Sequence, residues 1–284
     1  MRLFPWLAAL VLGVAGCGGS SDTEQQPSPA LWQIESADGE AEGWLFGTIH
    51  ALPDGTEWRT PALEGSLEQS DALVVEVADL SNTQVFTQLA RTEGVGLLSE
   101  RVSPEWRDEL FDMLRETGTK DSSFYNVEDW AAALALAQLS RDAAPGNGVD
   151  LALINDAKKP VVELEGLYRQ LSIFDRLPAR EQRALLDSAV ERYSEGSEAE
   201  KLREYWLAGD IEALASYVTD EVDDTPLLYQ VLLTDRNLDM ASKIVAMLET
   251  PERPFVAVGA AHMVGDEGIP ALLQSRGYKV IRIQ

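Results

Sequence analysis

Histidine and cysteine are almost missing from this chain. Of 284 residues only two are histidine, His50 and His262, and one is cysteine, Cys17. A single cysteine excludes an intramolecular disulfide, so the fold has to be held by its core. Basic residues are also scarce: 23 lysines and arginines face 48 aspartates and glutamates, a formal charge of −25. Spread along the chain rather than gathered in one tail, that charge argues against nucleic acid as a partner. It describes a solvated acidic surface, which would also raise the local concentration of cations. Several nucleophile schemes are absent too, with no Gly-x-Ser-x-Gly elbow, no P-loop and no His-Glu-x-x-His. What is plentiful is apolar side chain, 45% of the sequence, ordinary for a globular protein and enough for a sizeable core.

The front of the chain, "MRLFPWLAALVLGVAGC", has a positive start, an apolar stretch of about a dozen residues and small residues up to Cys17. That stretch is too short for a stable membrane span and reads as a secretory signal. Its end, "VAGC", resembles a bacterial lipobox, in which the cysteine is lipidated and becomes the first mature residue; a plain signal peptide cleaved nearby is the other reading. Residues 18–30, "GGSSDTEQQPSPA", cannot bury apolar surface and form a flexible tether. Gly18 directly after the cysteine favours the outer membrane. The expectation is a lipid-anchored protein of the cell envelope, held through Cys17 and facing the periplasm.

Residues 31–284 are expected to form one α/β domain, a central mixed, largely parallel sheet flanked by helices with a large helical insertion. "ALWQIES" and "EGWLFGTIH" are β-rich runs joined by an Asp-Gly turn, a hairpin signal. "DALVVEVA", "PVVELEG" and "PFVAVGAAH" read as buried strands. The inner strands are placed at about 43–49, 71–77, 160–164 and 255–259. Ser103 and Pro104 predict a helix start, and residues 166–250 read as amphipathic helices. "GIPALLQSRG" then "YKVIRI" complete a strand–helix–strand crossover.

Both histidines stand at the fourth place of a Gly-x-x-His, "GTIH" and "GAAH", each just past a strand. In open α/β sheets ligands gather outside the carboxyl ends of strands. Each glycine would let its loop turn so that the imidazole reaches inward, or let another group approach the backbone closely. Glu76, set between valines, is costly to bury unless paired or bound to a cation. Two histidines and a carboxylate are a common ligand set for a catalytic divalent metal with a position open for water. Glu165 in "VVELEG" is a candidate general base or supporting carboxylate. A histidine after a strand is also an ordinary polar residue, and the pattern leaves both readings open.

The segments "WLFGTIHALP", "DALVVEVAD", "GVDLALINDAKKPVVELEGLYRQ", "LLTDRNLDMASKI" and "FVAVGAAHMVGDEGIPALLQSRGYKV" occur in the order seen in the TraB/GumN family, which includes the Tiki membrane proteases. The resemblance runs from Leu31 to Gln284. It implies a metal-dependent peptidase or related hydrolase acting on a peptide or protein, with manganese, cobalt or zinc as cofactor. It implies His50, His262 and Glu76 as the metal and catalytic set. Asp150, Gln170 and Asn237 match further family positions, as do Glu165 and Arg236, and are candidates to support the ligands or touch substrate. Arg236 would suit an oxyanion or carboxylate partner, or a structural salt bridge. The alternative function is a non-catalytic module that sequesters a peptide, a metal or a haem-like ligand.

Overall fold

The structure is a computed structural model that describes residues 26–50, 52–79, 82–139, 148–195, 198–220 and 225–284. The lipobox and Cys17 lie outside the described residues, as does most of the tether.

Six strands form one sheet: β1 (Leu31–Glu35), β2 (Ala41–Thr48), β3 (Ala72–Val75), β4 (Val161–Glu163), β5 (Pro254–Gly259) and β6 (Lys279–Arg282). Their spatial order is β4-β3-β5-β2-β1-β6. Neighbours from β4 to β2 pair in parallel, and β1 runs antiparallel to both β2 and β6. The protein is therefore α/β with a mixed, largely parallel sheet, as the sequence predicts. The β1–β2 hairpin closes through Gly39 at φ 86°, a left-handed conformation that glycine takes without steric cost.

Period-two alternation feeds two apolar layers. Trp44, Phe46, Phe255 and Ala257 point to one face, where Trp58, Val149, Leu153 and Trp206 cover them. Leu45, Val256 and Val258 point to the other, against Met240, Ala241, Ile244, Ile269 and Leu273. Strands buried on both faces read as unbroken apolar runs, which is why these segments stood out in the sequence. The helices between β3 and β4 and after β4 build a further apolar cluster of their own, centred on Leu110, Met113, Leu136, Leu186 and Val190.

Two expectations are corrected. β4 is an edge strand rather than an inner one, and Val162 is exposed, because the sheet ends there. Ser103 does not cap a helix with its side chain; its hydroxyl donates to Asp187 at 2.5 Å and its amide to the same carboxylate at 2.9 Å. The C-terminal crossover through Ile269–Ser275 is parallel as expected, β6 running in the direction of β5 in the same sheet, with β2 and β1 between them.

Candidate functional site

The candidate residues collect at the carboxyl ends of four strands. Glu76 directly follows β3, His50 comes two residues after β2, Glu165 two after β4, and His262 lies in a 3-10 turn (Ala260–Met263) that follows β5. In register Thr48 pairs with Gly259 and Val75 with Ala257, so these ends share one rim.

His262 is buried, its side chain 5% exposed. Its Nδ1 lies 2.6 Å from Asn237 Oδ1. Asn237 donates its own Nδ2 to the Glu267 carbonyl at 2.8 Å, so its oxygen accepts and the imidazole proton sits on Nδ1. Nε2 is then a bare lone pair. It faces Glu76 Oε1 at 3.9 Å, beyond hydrogen-bond length. Burial pushes the imidazole down to about 4 and keeps it neutral.

Glu76 is held from both sides. Oε1 accepts the Gly259 amide at 2.7 Å, while Oε2 accepts Arg236 Nη2 at 2.5 Å and Gln170 Nε2 at 3.0 Å. Burial works against its charge; the pull of His262, of Arg236 and of the Gly259 amide outweighs it and holds the carboxyl down to about 2.

His50 stands on the open side, with 76% of its side chain exposed. Its Nδ1 meets Asp150 Oδ2 at 2.9 Å, and Asp150 Oδ1 accepts the Thr48 hydroxyl. The hydrogen bond to Asp150 raises the imidazole to about 9. Water screens a ring this open, so the pair adds little stability. Asp150 reaches the ring because the helix Val149–Asp156 docks on the end of β2, with Val149 N donating to Ile49 O at 3.0 Å. Only glycine permits that approach: a Cβ on Gly148 would lie 2.5 Å from the His50 carbonyl oxygen.

Of the two roles expected of the motif glycines, close approach is the one they take. Neither adopts a positive φ. A Cβ on Gly47 would press on Ala260 Cα at 3.1 Å, and one on Gly259 would approach Glu76 Oε1 at 3.3 Å. Each glycine makes room for a neighbour instead of turning its loop.

Glu165 and Arg236 form a buried fork. Arg236 Nε donates to Glu165 Oε1 at 3.0 Å, and Nη2 to Oε2 at 2.6 Å. The Glu165 side chain is wholly buried, so it has no access to a water it could deprotonate. Arg236 is committed to two carboxylates. Thus Glu76, His262, Arg236, Glu165, Gln170 and Asn237 form one network, and His50 with Asp150 forms a dyad whose charge is felt at Glu76 and His262. Among the described residues no group of three or more histidine, cysteine, aspartate or glutamate side chains stands where it could hold a metal ion. Sequence reasoning missed Thr48, Gly148 and Glu267. Thr48 lies inside the first motif and Gly148 two residues before Asp150, but only packing gives either a partner.

This is an α/β protein with a charged cluster at the carboxyl edge of a largely parallel sheet. The chain belongs to the TraB/PrgY/gumN family, whose pattern matches residues 30–282. It is 30% identical over 243 residues to a Shigella flexneri protein named "Uncharacterized protein YbaP", covering 83% of this chain and 89% of that one. An Escherichia coli K12 protein of the same name is 30% identical over 237 residues, covering 81% and 87%. No solved structure matches.

Proposed function

We propose that the protein is a divalent-metal-dependent hydrolase acting on peptides, with His262, Glu76 and His50 as the metal ligands. One observation carries this reading: His262 Nε2 and Glu76 Oε1 face each other at 3.9 Å and neither has a proton to give. Two lone pairs so placed in a buried site repel unless a cation lies between them, and their separation is within twice a ~2.1 Å metal–ligand bond. The charge balance agrees. Glu76, Glu165 and Asp150 bring three carboxylates against the guanidinium of Arg236 and the His50 imidazolium, so the cluster is one positive charge short.

A divalent ion bound there would supply a water of lowered pKa as nucleophile. The chain's own residues prepare for it. Asp150 and Asn237 each engage an Nδ1, which fixes the two rings, and the His262 Nε2 is left facing Glu76; His50 would have to give up its Nε2 proton to join the metal. Arg236 and Gln170 hold Glu76 with Oε1 turned toward His262. Manganese, cobalt and zinc all suit imidazole and carboxylate donors. We place the protein in the cell envelope, anchored through a lipid on Cys17. Among the described residues no helix is long and apolar enough to cross a membrane.

The second reading, a module that binds without turnover, draws on the lack, among the described residues, of a three-residue metal-ligand group and on the ion pair that already neutralises Glu76. Elemental analysis of protein purified without chelator, then a peptide-library assay with and without EDTA, separates the two. About one ion per chain with cleavage that EDTA abolishes and added metal restores supports the hydrolase. Metal without cleavage leaves the binding module, and no metal affinity overturns both metal readings.

A further inference from the structure

We propose that Glu165 is a positioning residue: it acts through Arg236 to hold Glu76 in the one orientation that turns Oε1 to His262 and withholds Oε2. Its catalytic consequence rests on the metal reading above, but the orientation itself does not.

The geometry of the fork supports this. Arg236 Nη2 is shared, 2.6 Å from Glu165 Oε2 and 2.5 Å from Glu76 Oε2. Nε donates to both Glu165 oxygens, at 3.0 and 3.2 Å. Nη1 donates to the Leu232 carbonyl at 3.2 Å, inside a π-helical turn (Gln230–Thr234) that leads into the helix Asp235–Leu248. A guanidinium is planar and rigid, so a carboxylate gripping its Nε edge also sets where Nη2 points. Glu165 is fixed in turn, because its amide and that of Gly166 donate to the Glu76 carbonyl, each at 3.0 Å. Residue 76 is therefore fixed at its backbone by the Glu165 segment and at its side chain by the residue Glu165 grips. Glu76 Oε2 then has two donors, Arg236 and Gln170, and Oε1 has one, the Gly259 amide. Oε1 keeps a lone pair free and Oε2 does not, which makes Glu76 a one-oxygen ligand.

A Glu165 that merely added negative charge would behave differently. Its field would favour a cation by the same factor whether or not Arg236 is present. A positioning Glu165 loses its effect once Arg236 is gone. The test is a double-mutant cycle with Glu165→Gln, Arg236→Gln and the double variant, with Glu165→Asp as a charge-retaining control. Glu165→Gln leaves Arg236 half-paired and can fail to fold, whereas the double variant removes both charges together.

Two readouts are taken. In metal-free protein, the ring resonance of His262, one of only two histidines, reports on the facing carboxylate. With Mn2+ alone as probe, titration calorimetry gives the dissociation constant. We expect Glu165→Gln to move the His262 resonance and to weaken Mn2+ binding about 10- to 100-fold. Arg236→Gln should move the resonance likewise, and adding Glu165→Gln to it should change neither readout further. Glu165→Asp should fall between. An unmoved His262 resonance in Glu165→Gln, or in the double variant a further change equal to that in the wild-type background, overturns the proposal. If no variant and no wild type binds Mn2+, the metal reading fails while the resonance still decides this one.

Discussion

Arg236 and Asn237, consecutive in the chain, hold two different members of the site: Arg236 Nη2 donates to Glu76 Oε2 at 2.5 Å, and Asn237 Oδ1 lies 2.6 Å from His262 Nδ1. Adjacent helical residues point about 100° apart, so the first turn of one helix reaches both β3 and β5. Glu76 and His262 are thereby coupled through a single element. Asn237→Leu keeps the approximate size but removes the acceptor that fixes the His262 tautomer. We expect divalent-metal affinity to fall about 10- to 100-fold, measured by calorimetry, with a far-ultraviolet circular-dichroism spectrum like that of the wild type. Unchanged affinity would mean that Nε2 does not serve a metal.

Gly148→Ala tests the docking of the helix that carries Asp150. The new Cβ would meet the His50 carbonyl oxygen at 2.5 Å, a backbone atom with little freedom to move. The expected cost is about 1–3 kcal/mol of unfolding free energy, together with loss of the His50–Asp150 contact. Gly265→Ala is a poor control because Gly265 has φ 75°, whereas Gly65→Ala meets nothing within 4 Å and should be neutral or stabilising. Urea unfolding of the two variants gives the comparison.

The two histidines should titrate on opposite sides of their ordinary value, His262 near 4 because it is buried and His50 near 9 because it is hydrogen-bonded to Asp150. The sign follows from linkage. For His50, raised on folding, the contribution is complete below about 6.5 and lost as pH rises through about 9. For His262, depressed on folding, it is complete above about 6.5 and lost as pH falls toward 4. Solvent screening of His50 makes the alkaline limb the shallower one. Chelator-treated protein labelled at histidine, followed by NMR across that range, would refute this if both rings titrated together.

The anchor has its own test. Cys17→Ser should abolish incorporation of labelled palmitate and release the protein from the membrane fraction. Undiminished labelling would remove the lipoprotein reading and leave the plain signal peptide.

What the sequence determined by itself is the set of strands and the identity of the rim. Unbroken apolar runs such as "FVAV" are legible because a strand covered on both faces needs apolar residues at every position. Two Gly-x-x-His motifs stood out because histidine is otherwise absent. Side-chain roles were not legible in this way. Nothing local distinguishes Glu165, whose oxygens are both engaged by a residue 71 positions away, from a free carboxylate awaiting a proton. Nor can sequence tell that Gly47 and Gly259 clear space for Ala260 and Glu76 rather than turn the chain. Strand order and edge position, which exposed Val162, depend on which segments pair across long sequence distances. Apolar pattern is a one-dimensional signal set by the burial each residue needs. Hydrogen-bond partnership is a three-dimensional relation between groups the chain brings within about 3 Å, and only the folded structure decides it.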